Sequence, residues 1–318
     1  MKSVCFFRLL ISLTALTSSH CFAIDISDLQ PADFSKAKLI GDLKYNSLDE
    51  ASGLTKSPSI KDLFWVINDG GDNPFIYAID KSGKHLGRYF IKGVDNRDWE
   101  DISSYSKDGS NYLVIADTGD NKSIHRDSFL WIVKEPDLRT YKTKKLNTLS
   151  LFKRIRFRYE DGPRDCESIV VDEKNQRILL LSKRTVPAVM YQLPLNAPKK
   201  KRLLIATRIA ELNTIPQPTT SFLFANPIYG KYASQPTAMD ISPDGNSLAV
   251  LTYVYGYIYQ LEENEKWETA VEKKPKVFQL PDLTQAEALC FDDHGNILVT
   301  SEKRPAPVYM LQKKSTGE

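Results

Sequence analysis

The chain has 318 residues, and its 43 lysines and arginines against 40 aspartates and glutamates give a formal net charge of +3. A chain so near neutrality has no global field to gather nucleic acid or anionic lipid, so we expect no nucleic-acid partner. Its length allows a large core, and β folds of this size often form one domain.

The first 23 residues have the pattern of a secretory signal peptide. Lys2 and Arg8 form a positive end, residues 9–16 form a short apolar run, and Cys21–Ala23 ends in a small residue suited to cleavage. The apolar run is shorter than the roughly 20 residues that span a bilayer. The sequence therefore predicts a signal peptide at 1–23 and one domain at 24–318. It also predicts secretion or export to the periplasm, a monomer, and no integral membrane segment.

Two cysteines, Cys166 and Cys290, follow the predicted cleavage site. An oxidising compartment would allow them to pair, but two cysteines are no disulfide framework. Both lie beside predicted inner strands, so burial as small apolar groups is the preferred interpretation.

A short motif recurs along the chain, which is typical of repeat architectures. Each copy begins with a carboxylate or hydroxyl residue that leads into a short strand. The five copies begin at Glu50, Glu100, Glu167, Thr237 and Glu287. Thr237 departs from the acidic pattern of the other four.

After each motif the chain repeats the same order of predicted strands. A β-rich strand follows, then a loop, then a third strand with an aromatic–apolar pair such as Ile76-Tyr77. The predicted second strands are residues 63–68, 112–116, 177–182, 247–252 and 297–301. Three strands and a more variable fourth in each repeat predict an all-β chain with the blades of a β-propeller.

The fourth strand is predicted at residues 86–92, 153–159, 203–211 and 276–280. The last repeat ends without one, and the N-terminal stretch 37–45 is expected to supply it and close the ring. We therefore expect five blades. A sixth blade near Tyr141–Phe152 or Thr214–Ser234 is the alternative.

Acidic and amide side chains are concentrated in the loops that would open on one face of such a ring. Several carboxylates held together need a cation or a basic side chain to stay ionised. Calcium prefers six to eight oxygen ligands, whereas the few histidines show no zinc or iron spacing. The predicted calcium ligands are Glu50, Asp69, Asp72, Glu100, Asp117, Asp120, Asn121, Glu167 and Glu287.

Each of these residues alone also has a purely structural interpretation. Asp and Asn commonly stabilise tight turns, and a residue that begins an inner strand can hydrogen-bond the backbone of the next blade. Their concentration on one face favours a site instead. Basic residues in the same loops, among them Arg126, Lys183 and Lys303, suit an anionic ligand such as a phosphate ester.

The series of motifs resembles a family of secreted bacterial β-propellers, and the match covers nearly the whole predicted mature chain. The matching segments are Asn68–Asp72, Asp98–Ile102, Asp117–Asn121, Tyr159–Glu167 and Ser242–Gly245. More distantly, the chain is similar to propeller phytases and the phytase-related esterase-like proteins. That resemblance implies a carboxylate-lined mouth that uses calcium and basic residues to cleave phosphate esters.

Three functions are consistent with these residues. The first is calcium-dependent hydrolysis of a phosphate ester, with Glu100, Asp101, Arg126, Lys183 and Lys303 as catalytic residues. The second is a glycosidase that uses two carboxylates without metal, Glu100 with Glu167 or Glu287. The third is a non-catalytic propeller that binds a ligand or protein at its mouth.

Overall fold

The computed structural model describes residues 25–196, 202–281, 283–302 and 304–314. The predicted signal peptide and Lys303 lie outside these ranges. Within them the chain is almost entirely strand, with two short helices, α1 (Thr220–Ala225) and α2 (Trp267–Ala270). The prediction of an all-β chain is confirmed. No helix in the described part of the chain has the length and apolar character needed to cross a membrane.

The described ranges contain twenty strands, which form five groups of four. In chain order they are β1 (Lys38–Leu43), β2 (Ala51–Lys56), β3 (Leu63–Asn68), β4 (Phe75–Asp80), β5 (His85–Lys92), β6 (Trp99–Lys107), β7 (Ser110–Asp117), β8 (Ser128–Lys134), β9 (Thr148–Tyr159), β10 (Cys166–Asp172), β11 (Arg177–Ser182), β12 (Ala188–Pro194), β13 (Leu204–Leu212), β14 (Pro236–Ile241), β15 (Ser247–Thr252), β16 (Tyr255–Gln260), β17 (Lys276–Gln279), β18 (Ala286–Phe291), β19 (Ile297–Ser301) and β20 (Ala306–Leu311). The predicted second strands coincide with β3, β11, β15 and β19, and β7 is longer than predicted.

Within each group, neighbouring strands pair in an antiparallel ladder. The groups are β2–β5, β6–β9, β10–β13, β14–β17, and β18–β20 with β1 on the outer edge of β20. The N-terminal segment therefore pairs with the C-terminal strand, with Lys38 opposite Met310. Strand β9 is longer than predicted because its two ends also pair in parallel with β5 and β13.

The first strands of the groups, here called the inner strands, lie side by side. β2 contacts β6, β6 contacts β10, β10 contacts β14, β14 contacts β18, and β18 contacts β2. A buried apolar cluster fills the space between each two neighbouring groups; Trp65 and Trp131 lie in one such cluster, and Phe64 and Cys290 in another. Because sheets cover both faces, strands such as β3 and β11 are buried along their whole length and contain branched and aromatic residues.

Two segments are the places where the sequence analysis allows a sixth blade. Between Thr214 and Ser234 the chain forms α1 and a 3-10 turn at Gly230–Tyr232. Between Tyr141 and Phe152 it forms turns and the start of β9. Neither segment contributes a further sheet.

Two aspartates, the buried Asp101 and the half-buried Asp240, connect neighbouring inner strands. Asp101 of β6 accepts hydrogen bonds from the amides of Ile102 (2.8 Å) and of Ile169 in β10 (2.7 Å). Asp240 of β14 accepts one from the amide of Phe291 in β18 at 2.8 Å. A carboxylate that bonds the backbone of the next group stabilises the contact between the two sheets.

Cys166 and Cys290 are both free and buried. Burial raises the pKa of the Cys166 thiol to about 12. The expectation that both act as small apolar core residues is confirmed.

Candidate functional site

The inner strands share an irregularity at the same position near their start. In each, the pairing register with the second strand skips one residue, and the skipped residues are Ser52, Glu100, Glu167, Thr237 and Glu287. A bulge of this kind re-aims the side chain of the extra residue. The first repeat thus has Ser52 at this position. Glu50 precedes β2 and is exposed, so its alignment with the other glutamates was wrong.

Glu100 is shared by two groups of carboxylates. One carboxylate oxygen each from Glu100, Asp69 and Asp98 lie within 4.8 Å of one another, and the same holds for one oxygen each from Glu100, Asp165 and Glu167. The second of these groups is almost fully buried: the exposed fractions are 4% for Glu100, 2% for Asp165 and 5% for Glu167. We call these five residues the Glu100 cluster. Asp98 and Asp165 were not among the predicted ligands.

Two glycines allow the loops to close over the Glu100 cluster. A Cβ on Gly119 would lie 2.1 Å from Oε1 of Glu100 and 2.5 Å from Cγ of Asp98. A Cβ on Gly70 would lie 2.5 Å from Oδ1 of Asp98. The Gly in each of the two acidic loops is therefore required because backbone and carboxylates approach so closely.

Asp117 orients the loop that carries Asp98. Its Oδ1 accepts from the Asp98 amide at 3.2 Å, and its Oδ2 accepts from Nε1 of Trp131 at 3.2 Å. Arg97 lies beside it, with Nε 3.6 Å from Oδ1. Asp117 was predicted to bind metal, and in the structure it supports the loop next to the Glu100 cluster.

Three other predicted ligands are also engaged within their loops. Asp120 accepts from the amides of Ile124 (2.9 Å) and His125 (2.7 Å). Asp72 accepts from Nδ2 of Asn68 at 2.9 Å. Asn121 is exposed and bonds the guanidinium of Arg184. These bonds shape the mouth, and none of the three residues belongs to the Glu100 cluster.

Two basic side chains contact the cluster. Nζ of Lys183 lies 2.7 Å from Oε2 of Glu167 and 4.0 Å from Oε1 of Glu287. Nε of Arg184 forms an ion pair with Oδ2 of Asp165 at 2.5 Å. The hydroxyl of Tyr253 donates to Oε1 of Glu287 at 2.7 Å.

Crowding and burial shift the acidity of these carboxyls. Burial, together with the nearby Glu167 and Asp69, raises the pKa of Glu100 well above its usual range. Burial raises the pKa of Glu167 and Glu287 as well, and Lys183 opposes both shifts. Asp69 has a pKa of about 7, mainly because of burial. Without a further cation, Asp69 would therefore be partly protonated near neutral pH.

Arg126 and Asp101 were also predicted to be catalytic and are not part of the cluster, and Lys303 lies outside the described residues. Arg126 is exposed. Asp101 is 1% exposed and directs its carboxylate to backbone amides. Thr237, where the acidic pattern breaks, donates to the carbonyl of Ala286 at 2.7 Å and joins two inner strands. Of the five predicted catalytic residues, the structure brings Glu100 and Lys183 together.

No family model matches the chain, and no curated protein matches it. Among solved structures it is similar to the β-propeller domain of Cps50 (Swd1) from Myceliophteria thermophila, with 13% identity and a TM-score of 0.41 over 91% of this chain and 72% of that one. It is also similar to the PQQ-bound aldose sugar dehydrogenase of Streptomyces coelicolor, with 13% identity and a TM-score of 0.44 over 89% of this chain and 99% of that one.

Proposed function

We propose that the chain is a secreted five-bladed β-propeller that binds calcium at the Glu100 cluster and hydrolyses phosphate esters there. Five four-stranded groups, the contact of β18 with β2 and the pairing of β1 with β20 support the closed ring. The signal-like residues 1–23 support secretion.

The observation that carries the metal site is the position of Glu100 in both carboxylate groups. Five carboxylates converge there, and within the described ranges the ion pairs to them come from Lys183 and Arg184. The donor set consists of oxygens, as calcium prefers. Because Gly70 and Gly119 have no side chain, the backbone at these positions lies against the carboxylates. Backbone carbonyl oxygens would complete the calcium coordination there.

The roles of the chain's own residues follow from this arrangement. Bound calcium would supply positive charge that stabilises the developing charge on the phosphoryl oxygens. Lys183 and Arg184 would bind the other phosphoryl oxygens, since they are the basic side chains in contact with the cluster. Lys183 keeps the role predicted from the sequence, and Arg184 takes the one predicted for Arg126. Glu167 and Asp165 hold both basic groups in place.

The test uses the purified mature protein, residues 24–318. Metal content, melting temperature and hydrolysis of a panel of phosphate esters are measured before and after EGTA. We expect bound calcium, a melting temperature that falls on chelation, and activity that calcium restores. Unchanged stability and unchanged activity in EGTA would reject the proposal. A calcium-dependent melting shift without any hydrolysis would favour a propeller that only binds ligands.

One observation favours a second candidate, a glycosidase that uses Glu100 and Glu167. One oxygen of each carboxyl lies within 4.8 Å of an oxygen of the other, and burial raises both pKa values. Retaining glycosidases hold their two carboxyls about 5–5.5 Å apart. Hydrolysis of glycosides that persists in EGTA and disappears in Glu167→Gln would establish this candidate instead.

A further inference from the structure

A cleft of about 640 Å³ opens beside the Glu100 cluster. One wall is the segment between β13 and β14, which contributes Phe222, Tyr229 and Tyr232. Lys183 and Tyr253 line the other side, and both also contact the carboxylates beneath. The cleft is therefore the approach to the proposed site.

The charge of the cleft differs from that of the cluster below it. Among the described residues that line it, Lys183 and Arg184 are charged and none is a carboxylate. Their carboxylate partners, Glu167 and Asp165, do not line the cleft. A ligand in the cleft meets the basic side chains first, which favours an anionic group at this end.

The other end of the cleft presents aromatic rings to solvent. Tyr229 is 76% exposed, although most large aromatic residues of the described chain are buried. Phe222 and Tyr232 are half-buried beside it. Exposed rings grouped in a concave site are typical of surfaces that bind a flat, apolar partner.

A further lining residue has an unused acceptor. Oε1 of Gln235 is screened from solvent and has no hydrogen-bond partner within the described residues. A buried acceptor without a partner costs free energy unless a ligand or water donates to it. This acceptor is independent of the charges and the rings, and a donor group of a ligand or a water would satisfy it.

We propose that the cleft selects aromatic phosphate monoesters as substrates, with the ring against Tyr229 and Tyr232 and the phosphate toward Lys183 and Arg184. This inference rests on the proposed function and names its substrate class. In the reaction, water forms a bond to phosphorus, the bond from phosphorus to the aryl oxygen breaks, and that oxygen receives a proton. The products are a phenol and inorganic phosphate, with no change in oxidation state.

The test compares phenyl phosphate with methyl phosphate, by calorimetric binding and by hydrolysis, with calcium and with EGTA. In the wild-type protein we expect phenyl phosphate to bind about 10-fold more tightly, the size of one well-packed aromatic contact. Tyr229→Ala should reduce this preference to about 2-fold. Phe224→Ala is the matched control, because Phe224 lies in the same segment, is 91% exposed and does not line the cleft.

The outcomes separate this inference from the proposed function. Equal, calcium-dependent binding of both esters would overturn the aryl specificity and leave the proposed function standing. A preference for phenyl phosphate that depends on Tyr229 but not on calcium would support the cleft and overturn the calcium-dependent reaction. If neither ester binds, or if Phe224→Ala has the same effect as Tyr229→Ala, the inference is overturned.

Discussion

Nζ of Lys183 lies 2.7 Å from Oε2 of Glu167, and the two side chains are 7% and 6% exposed. Burial alone would lower the pKa of Lys183, but Glu167 and Glu287 outweigh it and raise the pKa above its usual range. The lysine thus stays charged and serves as the internal counterion of the buried glutamates.

Removing this counterion should destabilise the fold. We expect Lys183→Met to lower the free energy of unfolding by about 3–5 kcal/mol at pH 7 in EGTA, because Glu167 and Glu287 lose the cation that compensates their buried charge. Urea unfolding measures the change. The double variant Lys183→Met/Glu167→Gln should recover part of the loss. If Lys183→Met is as stable as the wild type, the Lys183–Glu167 ion pair contributes nothing to stability.

Glu100→Gln should abolish calcium binding, because Glu100 is the residue that both carboxylate groups share. We expect the calcium-dependent rise in melting temperature to disappear. In EGTA at pH 8 the variant should be at least as stable as the wild type, since glutamine carries no buried charge. Glu50→Gln is the control, because Glu50 is exposed and outside the cluster. An equal calcium-dependent rise in melting temperature in both variants would contradict the assignment of Glu100 as a calcium ligand.

Gly119→Ala should weaken calcium binding by crowding the carboxylates. The new Cβ would meet Oε1 of Glu100 at 2.1 Å and force it, or the loop, to move. We expect a loss of calcium affinity of at least about 10-fold, comparable to the effect of disturbing residues that orient metal ligands. Calorimetric titration with calcium measures it. Lys122→Ala, an exposed change in the same loop, should bind calcium as the wild type does.

The stability should depend on pH through Asp240. Burial raises its pKa from 3.8 to about 7, despite hydrogen bonds from Phe291 and Ile241. The folded state therefore holds a proton that the unfolded state has lost between about pH 4 and 7, so stability falls as the pH rises through this window. The loss is about 2–4 kcal/mol, at 1.36 kcal/mol per pKa unit and allowing for partial exposure.

Asp240→Asn tests this dependence. The variant loses one acceptor for a backbone amide, so it should be less stable than the wild type at pH 5. At pH 8 the gap should shrink or reverse, because asparagine avoids the buried charge. Urea unfolding at both pH values gives the two differences. Identical differences at pH 5 and pH 8 would refute a raised pKa at Asp240.

Much of the strand pattern was readable from the sequence. Stretches such as residues 63–68 and 177–182 contain branched and aromatic residues between turns rich in Gly, Asp and Asn, and they were predicted to the residue. These signals are local, because strand propensity and turn chemistry depend on neighbours in the chain. β9 was predicted too short, since its first residues are ordered by pairing with β5, which is distant in sequence.

The sequence by itself determined the all-β class, the repeat and the acidic character of the loops. The tertiary structure decided which carboxylates meet. A bulge places Ser52 where Glu50 was expected, Asp101 turns to backbone amides, and Asp98 and Asp165 join Glu100. The physical reason is that side chains alternate between faces of a strand, so one extra residue redirects them. Which carboxylates come together therefore depends on the pairing register of the strands and on contacts between sheets. Neither can be predicted from a local sequence pattern.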